Sequence, residues 1–479
     1  MGLAAQAFSR VKKDNPIYLV GLGHGATHWV IATFYFLLPF MAQDLGLSYV
    51  EAGLFASVFS LASFGANVFS GPLVDITGRR VLWQVVSLLV GAVALYAMGA
   101  VSLYPLLVLA MIFIGMSNNL WHPAAISYLS LRYPDRRGYV LSIHALGANL
   151  GDAVAPVIMA PVLAALSWRA TMEASIVVPL VVAMLLLFFV ERVGKASGGI
   201  TGKPETQGGS HKQSSISETK QDQSKQGQSK QREYLASVNS APQNDEHALK
   251  EHVPTSSPDK NRDKNRLDID HTKPDRDHSQ SERMKGRDYL AGVGALLKNR
   301  AVMVLCCMSG FRNMAQTGLL VFLPLYLAND LKLSPFQLAL ALFAFQAAGL
   351  VAAPVAGIWS DRIGRRPLVV GGLGITTVML ILLTLIDNTT VFVAGIAMLG
   401  FGLFAIRPVV HSWLMDMTPP HMGGTGTSVL FGVQSAMTTF APIIGGALAD
   451  RYGLISAFYF LGVTLLIANF LVLFIPKKS

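Results

Sequence analysis

Charge is scarce in this chain. Asp, Glu, Lys and Arg supply 14% of its 479 residues, against roughly 25% in soluble globular proteins. So few charges cannot cover a water-exposed surface of this size, which excludes a string of soluble domains. Cysteine is almost missing: Cys306 and Cys307 are adjacent and lie inside an apolar run. They cannot staple distant segments, and they read as small core residues without a redox role. No Gly-rich phosphate loop of the P-loop type occurs, which argues against ATP as a power source. Nothing reads as an enzyme, and no cofactor is expected. The apolar run from Ile17 is helix-length and lacks a small-residue cleavage site, so no cleavable signal peptide is expected.

Apolar residues dominate instead, at 52%. They gather into runs of roughly 20 residues, each long enough to cross a ~30 Å hydrocarbon layer. Twelve spans are predicted. The first six lie near Ile17–Phe40, Tyr49–Leu73, Val81–Val101, Tyr104–Tyr128, Tyr139–Leu163 and Thr171–Val190. The second six lie near Ala301–Leu327, Pro335–Trp359, Leu368–Ile386, Val391–Met415, Thr425–Leu448 and Ile455–Ile475. In lipid such spans must be helical, because nothing else there satisfies the backbone.

Between the sets, about Ser197 to Asn299, the chain turns polar and nearly loses its aromatics. Such a composition buries too little apolar surface to offset ordering entropy, so a disordered loop is expected. Asp288–Lys298 is the exception, with the pattern of an amphipathic helix leading into the seventh span. The expected fold class is an all-α membrane protein with two parallel six-helix repeats and a long disordered central cytoplasmic loop. Its parts are 1–195, 196–299 and 300–479.

The two halves repeat in register. Ala42-Gln43-Asp44-Leu45-Gly46-Leu47-Ser48 matches Ala328-Asn329-Asp330-Leu331-Lys332-Leu333-Ser334, 286 residues on. Gly71-Pro72-Leu73-Val74-Asp75-Ile76-Thr77-Gly78-Arg79-Arg80 matches Gly357-Ile358-Trp359-Ser360-Asp361-Arg362-Ile363-Gly364-Arg365-Arg366 at the same offset of 286. Parallel six-helix repeats occur in transporters, with the substrate site between the halves.

The net charge of +10 would suggest nucleic acid in a soluble protein. Here the basic clusters sit between apolar runs and set orientation instead, and no nucleic-acid partner is expected. Arg79, Arg80, Arg132, Arg136, Arg137, Arg362, Arg365 and Arg366 fall on the side of both termini. The opposite side has only Arg169, Lys332 and Arg451. The positive-inside rule therefore puts both termini and the central loop in the cytoplasm.

The duplicated Gly-xxx-Asp-xx-Gly-Arg-Arg loop resembles the signature loop of the major facilitator superfamily, and the resemblance covers both helical halves. It implies that Gly71, Asp75, Gly78, Arg79 and Arg80 clip the two halves together on the cytoplasmic face. Gly357, Asp361, Gly364, Arg365 and Arg366 are the counterparts. The acidic residue would face a helix N-terminus, where the dipole favours negative charge. A closer likeness is to the fosmidomycin-resistance branch, through Trp121-His122-Pro123-Ala124-Ala125 and the segment Gly147–Pro156. It implies a proton-coupled drug exporter in a bacterial inner membrane. The chain departs from that branch at Ala124, where the branch has an acidic residue, and at Asp152, where it has a serine.

Ionisable groups inside spans are costly and usually face a cavity or a partner. Arg312 and Arg407 are two such cations, and guanidinium binds carboxylate or phosphonate with two parallel hydrogen bonds. They are the first candidates for binding an anionic substrate, with Asn313, Gln316 and Asn149 beside them. The other reading is an internal ion pair with Asp152 or Asp416. His24 and His28 are four apart on one helix face. Histidine exchanges protons near neutral pH, so His24 is a proton-coupling candidate and His28 and His122 are substrate-binding candidates. With His122 and His144 they would instead make a metal site, but no Cys or acidic cluster of recognisable spacing accompanies them, and no metal is expected. The bland reading is hydrogen bonding across helices. Asp152, mid-helix and without a same-helix cation one turn away, is the main proton-coupling candidate; the competing reading is a permanent ion pair. Trp121, Asn118, Asn119, Gln346 and Gln434 are lesser lining candidates.

The function expected is secondary transport of a small, anionic organic solute or drug, driven by protons and directed outward. The alternatives are an organic-anion importer or facilitator, and a transceptor whose central loop signals to a protein partner.

Overall fold

The computed structural model describes residues 2–190, 286–386, 388–419 and 422–476. Those residues form helices and no strand. Eleven helices are long and apolar enough to cross a membrane, and a bent pair supplies a twelfth. Most of the stretch expected to be disordered lies outside the described residues. Its last part is helical: Gly286–Lys298 forms a short helix that meets the seventh span, Arg300–Asn329, at a bend of 78°. Asn299 makes that corner, its side chain accepting from the amides of Ala301 and Val302. The amphipathic helix expected over 288–298 is therefore present, and Leu296 is buried.

The sequence repeat is also a repeat of local devices. Ser48 and Ser334, 286 residues apart, each open a helix with a reciprocal capping box, using Glu51 and Gln337. Each box satisfies two amide donors that would otherwise be orphaned. The preceding turn is left-handed in both copies: Gly46 has φ 63° and Lys332 has φ 53°. Glycine adopts this at no steric cost, whereas lysine is strained there. At the other ends, Gly78 (φ 65°) and Gly364 (φ 91°) close the second span, Tyr49–Thr77, and the eighth, Pro335–Ile363.

Two spans carry a short turn but each remains one span, Trp168–Phe188 and Thr425–Tyr452. The sixth divides into Trp168–Ala174 and Val177–Leu185. The eleventh divides into Gly423–Thr438 and Ala441–Tyr452, with Pro442 at the start of the second piece. Proline lacks an amide proton and clashes with the preceding turn, so it suits a helix start. Its counterpart Pro156 lies inside the unbroken fifth helix, Arg137–Ala165.

Glycines bring the first helix, Gly2–Leu45, and the fifth into backbone contact. A Cβ on Gly147 would overlap the carbonyl of Gly21, and one on Gly151 would overlap that of Gly25. Such one-turn small-residue pairs permit close approach where lipid offers no hydrophobic drive. Across the halves, the second span packs on the eleventh and the fifth on the eighth.

The second–eleventh contact closes at one end only. A Cβ on Gly53 would overlap Pro442 O, and one on Gly446 would lie 2.5 Å from Tyr49 O. Asp450 seals this end by accepting from the amides of Tyr49 (2.7 Å) and Val50 (3.0 Å). Gly71 lies five turns beyond Gly53 on the same helix face, yet a Cβ there would meet nothing within 4 Å. The halves are thus joined at the face of the Leu45–Tyr49 turn and parted at the face of the basic loops.

Candidate functional site

Two adjoining cavities, of about 230 and 200 Å³, lie between the halves. They share Phe59 and Ser60 of the second span, Gln316 and Thr317 of the seventh, and Arg407 of the tenth, Thr389–Met417. Arg312, Asn313, Asn119, His411, Ser309 and Gln434 line the first; His28, Asn118, Asn149, Asp152 and Gln346 line the second. The predicted Arg312, Asn313, Gln316, Arg407, Asn149, Asp152 and His28 are thereby brought to one space, although they come from helices far apart in sequence.

The two arginines differ. Arg312 is buried and partly committed: it donates through Nη1 to Asn313 Oδ1 (2.6 Å) and through Nη2 to the Leu403 carbonyl (2.5 Å). Its Nε has no partner. Arg407 is exposed to the cavity and forms no hydrogen bond or ion pair with another described residue. Neither arginine pairs with an aspartate, so the internal ion pair weighed from sequence is not formed. Asp152 instead meets His28, Oδ2 to Nδ1 at 2.9 Å, with both side chains 21% exposed. Asp416 meets Arg365 at 3.3 Å. The cavity thus holds two guanidinium groups with no carboxylate within ion-pair distance of either, while Asp152 lines the same space and attracts Arg407 from farther off; such an arrangement leaves room for an anion.

The other histidines sit behind this wall. His24 is buried and its Nδ1 lies 2.7 Å from the His144 carbonyl. His122 Nδ1 lies 2.9 Å from the Asn118 carbonyl of its own helix. The rings of His24 and His144 stack at 3.8 Å. Trp121 is fully buried and fills the space left by Gly23, so it packs rather than lines.

The predicted clip differs between its copies. Asp75 is exposed and has no hydrogen-bond or ion-pair partner among the described residues, and a Cβ on Gly71 would meet nothing within 4 Å. Arg80 donates to Ser127 Oγ within its own half (2.7 Å), and Arg79 precedes the third helix without a capping bond. The second copy forms a network: Arg365 reaches Asp361 (2.5 Å), Ser360 (2.6 Å) and Asp416 (3.3 Å). Arg366 donates to Leu473 O (2.9 Å). Gly357, like Gly71, has open space around it. All these bonds stay within one half, so neither loop bridges the halves in this arrangement.

Sequence reasoning missed His411, which follows Arg407 by one turn and lines the first cavity; its i, i+4 spacing from Arg407 was the available signal. It also missed Ser309, Ser60 and Ser63, for which composition offers no signal. Asp450 is visible only once the second and eleventh spans are packed.

A multi-pass helical membrane protein with a polar cavity between two repeated halves is, by class, a transporter. The model of the Major Facilitator Superfamily matches residues 20–312 and 305–479, and the chain belongs to that family. Its members are transporters and not enzymes. Multidrug resistance protein MdtL of Escherichia coli O157:H7 (strain EC4115 / EHEC) is 29% identical over 154 residues, 32% of this chain and 39% of the relative. The MdtL protein of Shigella dysenteriae serotype 1 matches to the same extent, 29% over 154 residues. The chain therefore matches about two fifths of the length of these relatives. Among solved structures, a mutant of the nucleoside transporter NupG superposes with a TM-score of 0.68 at 10% identity, covering 96% of this chain and 100% of that one. A bacterial homologue of the human lysosomal transporter Spinster gives 0.68 at 13% identity, covering 96% of each chain. At such identities the likeness is one of fold.

Proposed function

We propose that this chain is a proton-coupled antiporter that exports a small anionic organic solute across a bacterial inner membrane. The observation that carries the reading is Arg407, a cation exposed to the cavity between the halves and unpaired among the described residues. With Arg312 beside it on the same wall, held to the Leu403 carbonyl one turn before Arg407, an incoming carboxylate or phosphonate would meet two neighbouring guanidinium groups. The His28–Asp152 pair on the opposing wall is the group that would exchange protons, with His24 behind it. By the positive-inside rule the basic loops face the cytoplasm, so the parted face is the cytoplasmic one and the cavity is loaded from inside. The MdtL likeness and the Trp121–Ala125 and Gly147–Pro156 segments support export. In this reading 1–195 and 300–479 rock about the cavity, while 196–299 links them.

The test is flux of labelled organic anions and phosphonates into inverted vesicles, with and without a pH gradient. Gradient-driven uptake is expected, lost in Arg407→Gln and Arg312→Gln and uncoupled from the gradient in Asp152→Asn. Uptake that survives Arg407→Gln unchanged refutes the anion site. Uptake that ignores the gradient leaves a facilitator.

A further inference from the structure

Three imidazoles converge on the inner wall of the cavity. A ring nitrogen from each of His24, His28 and His122 lies within 4.8 Å of the others. Their hydrogen bonds fix which nitrogen is free. His24 Nδ1 faces the carbonyl of His144 and His122 Nδ1 faces the carbonyl of Asn118. A carbonyl only accepts, so each Nδ1 carries the proton and each Nε2 keeps its lone pair. His28 Nδ1 faces the Asp152 carboxylate, which imposes the same tautomer. All three rings are therefore pinned at Nδ1 by an oxygen and present a bare Nε2.

His24 is 5% exposed and its Nε2 is buried with no partner, a costly arrangement for a polar atom unless something fills it. Nδ1 held by a carboxylate or carbonyl, with Nε2 free, is the form in which histidine binds metals.

We propose that His24, His28 and His122 form a three-nitrogen site for a divalent transition-metal ion of the Zn2+ class. Neutral imidazoles favour such ions over Mg2+ or Ca2+, which require oxygen ligands. A tetrahedral ion with Zn–N of about 2.0–2.1 Å sets its nitrogens about 3.4 Å apart, so the rings close slightly on binding. His144 is not a ligand: its ring lies nearly parallel to His24, at 10°, and in-plane lone pairs of parallel rings do not converge. It forms a wall, as does Trp121, whose ring is tilted by 8° from His24 at 6.5 Å. Asp152 serves as the outer partner that orients His28. His28 lines the cavity and His24 lies behind it, so the fourth position opens to the cavity, for water or an anion. The site stands whether or not the chain moves anions; with an ion bound, His24 and His28 have no nitrogen left for a further proton, and proton exchange falls to Asp152 alone.

The test is Zn2+ binding to the purified full-length chain, free of any histidine tag, by equilibrium dialysis against a competing chelator. About one tight ion per chain is expected, absent from the triple variant H24Q/H28Q/H122Q and weakened about 10–100-fold by Asp152→Asn. Zinc-edge X-ray absorption of the unmutated chain guards against a variant that fails to fold. A shell of three imidazole nitrogens at about 2.0–2.1 Å supports the site; a shell of oxygens or sulphur overturns it. Equal binding by the unmutated chain and the folded triple variant also overturns it.

Discussion

Asp450 joins the two halves at one end of the molecule, and replacing it should open that end. Its carboxylate accepts from the Tyr49 and Val50 amides at 2.7 and 3.0 Å, which are the first two residues of the second span. Hydrogen bonds to a charged group contribute about 1.5–3 kcal/mol each, and a carboxylate at a helix N-terminus adds about 0.3–1 kcal/mol. Both bonds are solvent-exposed, so screening takes the sum below its low end of about 3.3 kcal/mol, and Asp450→Ala should cost the joined arrangement roughly 2–3 kcal/mol. The contact exists only while the halves meet there. Its loss is therefore a shift in population, of tenfold for about every 1.4 kcal/mol. Asp450→Asn keeps one acceptor oxygen and should shift it about half as far on the free-energy scale. Spin labels at Leu103 and Tyr452, both 67% exposed and on opposite halves, report the separation in a Cys306→Ala, Cys307→Ala background. A longer-distance population should grow in the order Asp450, Asn, Ala. An unchanged distance distribution in Asp450→Ala would refute the latch.

Three further outcomes follow from the packing. Gly151→Ala places a methyl group on the Gly25 carbonyl, where backbone must yield, and should lower stability by about 1–3 kcal/mol, seen as a lower melting midpoint in detergent; Gly71→Ala, in open space, should leave it unchanged. Lys332→Gly relieves a left-handed residue that Gly46 occupies without strain in the other repeat, and should raise stability by up to about 1 kcal/mol in the same measurement. Asp416→Asn removes one of the two carboxylates holding Arg365. Because that pair is partly exposed, the change should be below about 1 kcal/mol, and a larger loss would mean that the network braces more than its own half.

Some of this protein was determined by sequence alone. Apolar runs of membrane length have only one backbone solution in lipid, so the helices were legible from hydropathy. The shared register of Ser48 with Ser334 and Gly78 with Gly364 announced the duplication, because caps and left-handed turns depend on a few local residues. The helix at 286–298 was visible for the same reason. The turn within the eleventh span was not: Pro156 and Pro442 are equivalent in sequence, and only Pro442 stands beside such a turn. Their neighbours differ: the fifth helix touches the first through Gly147 and Gly151, whereas Pro442 begins a segment pressed on Gly53.

The candidate site divides in the same way. The cost of burying charge singled out Arg312, Arg407 and Asp152 from their positions inside spans. Which groups they meet depended on helices distant in sequence. Asp152 pairs with His28 across the first–fifth contact, Arg312 is taken up by Asn313 and Leu403, and Arg407 is left facing the cavity. The histidines show the limit most plainly. Spacing along the chain gave one pair and no metal pattern, but the approach of ring nitrogens from three histidines to within 4.8 Å is a property of two helices and the oxygens that pin each ring. Local sequence sets conformations within a few residues; the directions in which side chains converge are set by packing between helices, and only the tertiary structure supplies them.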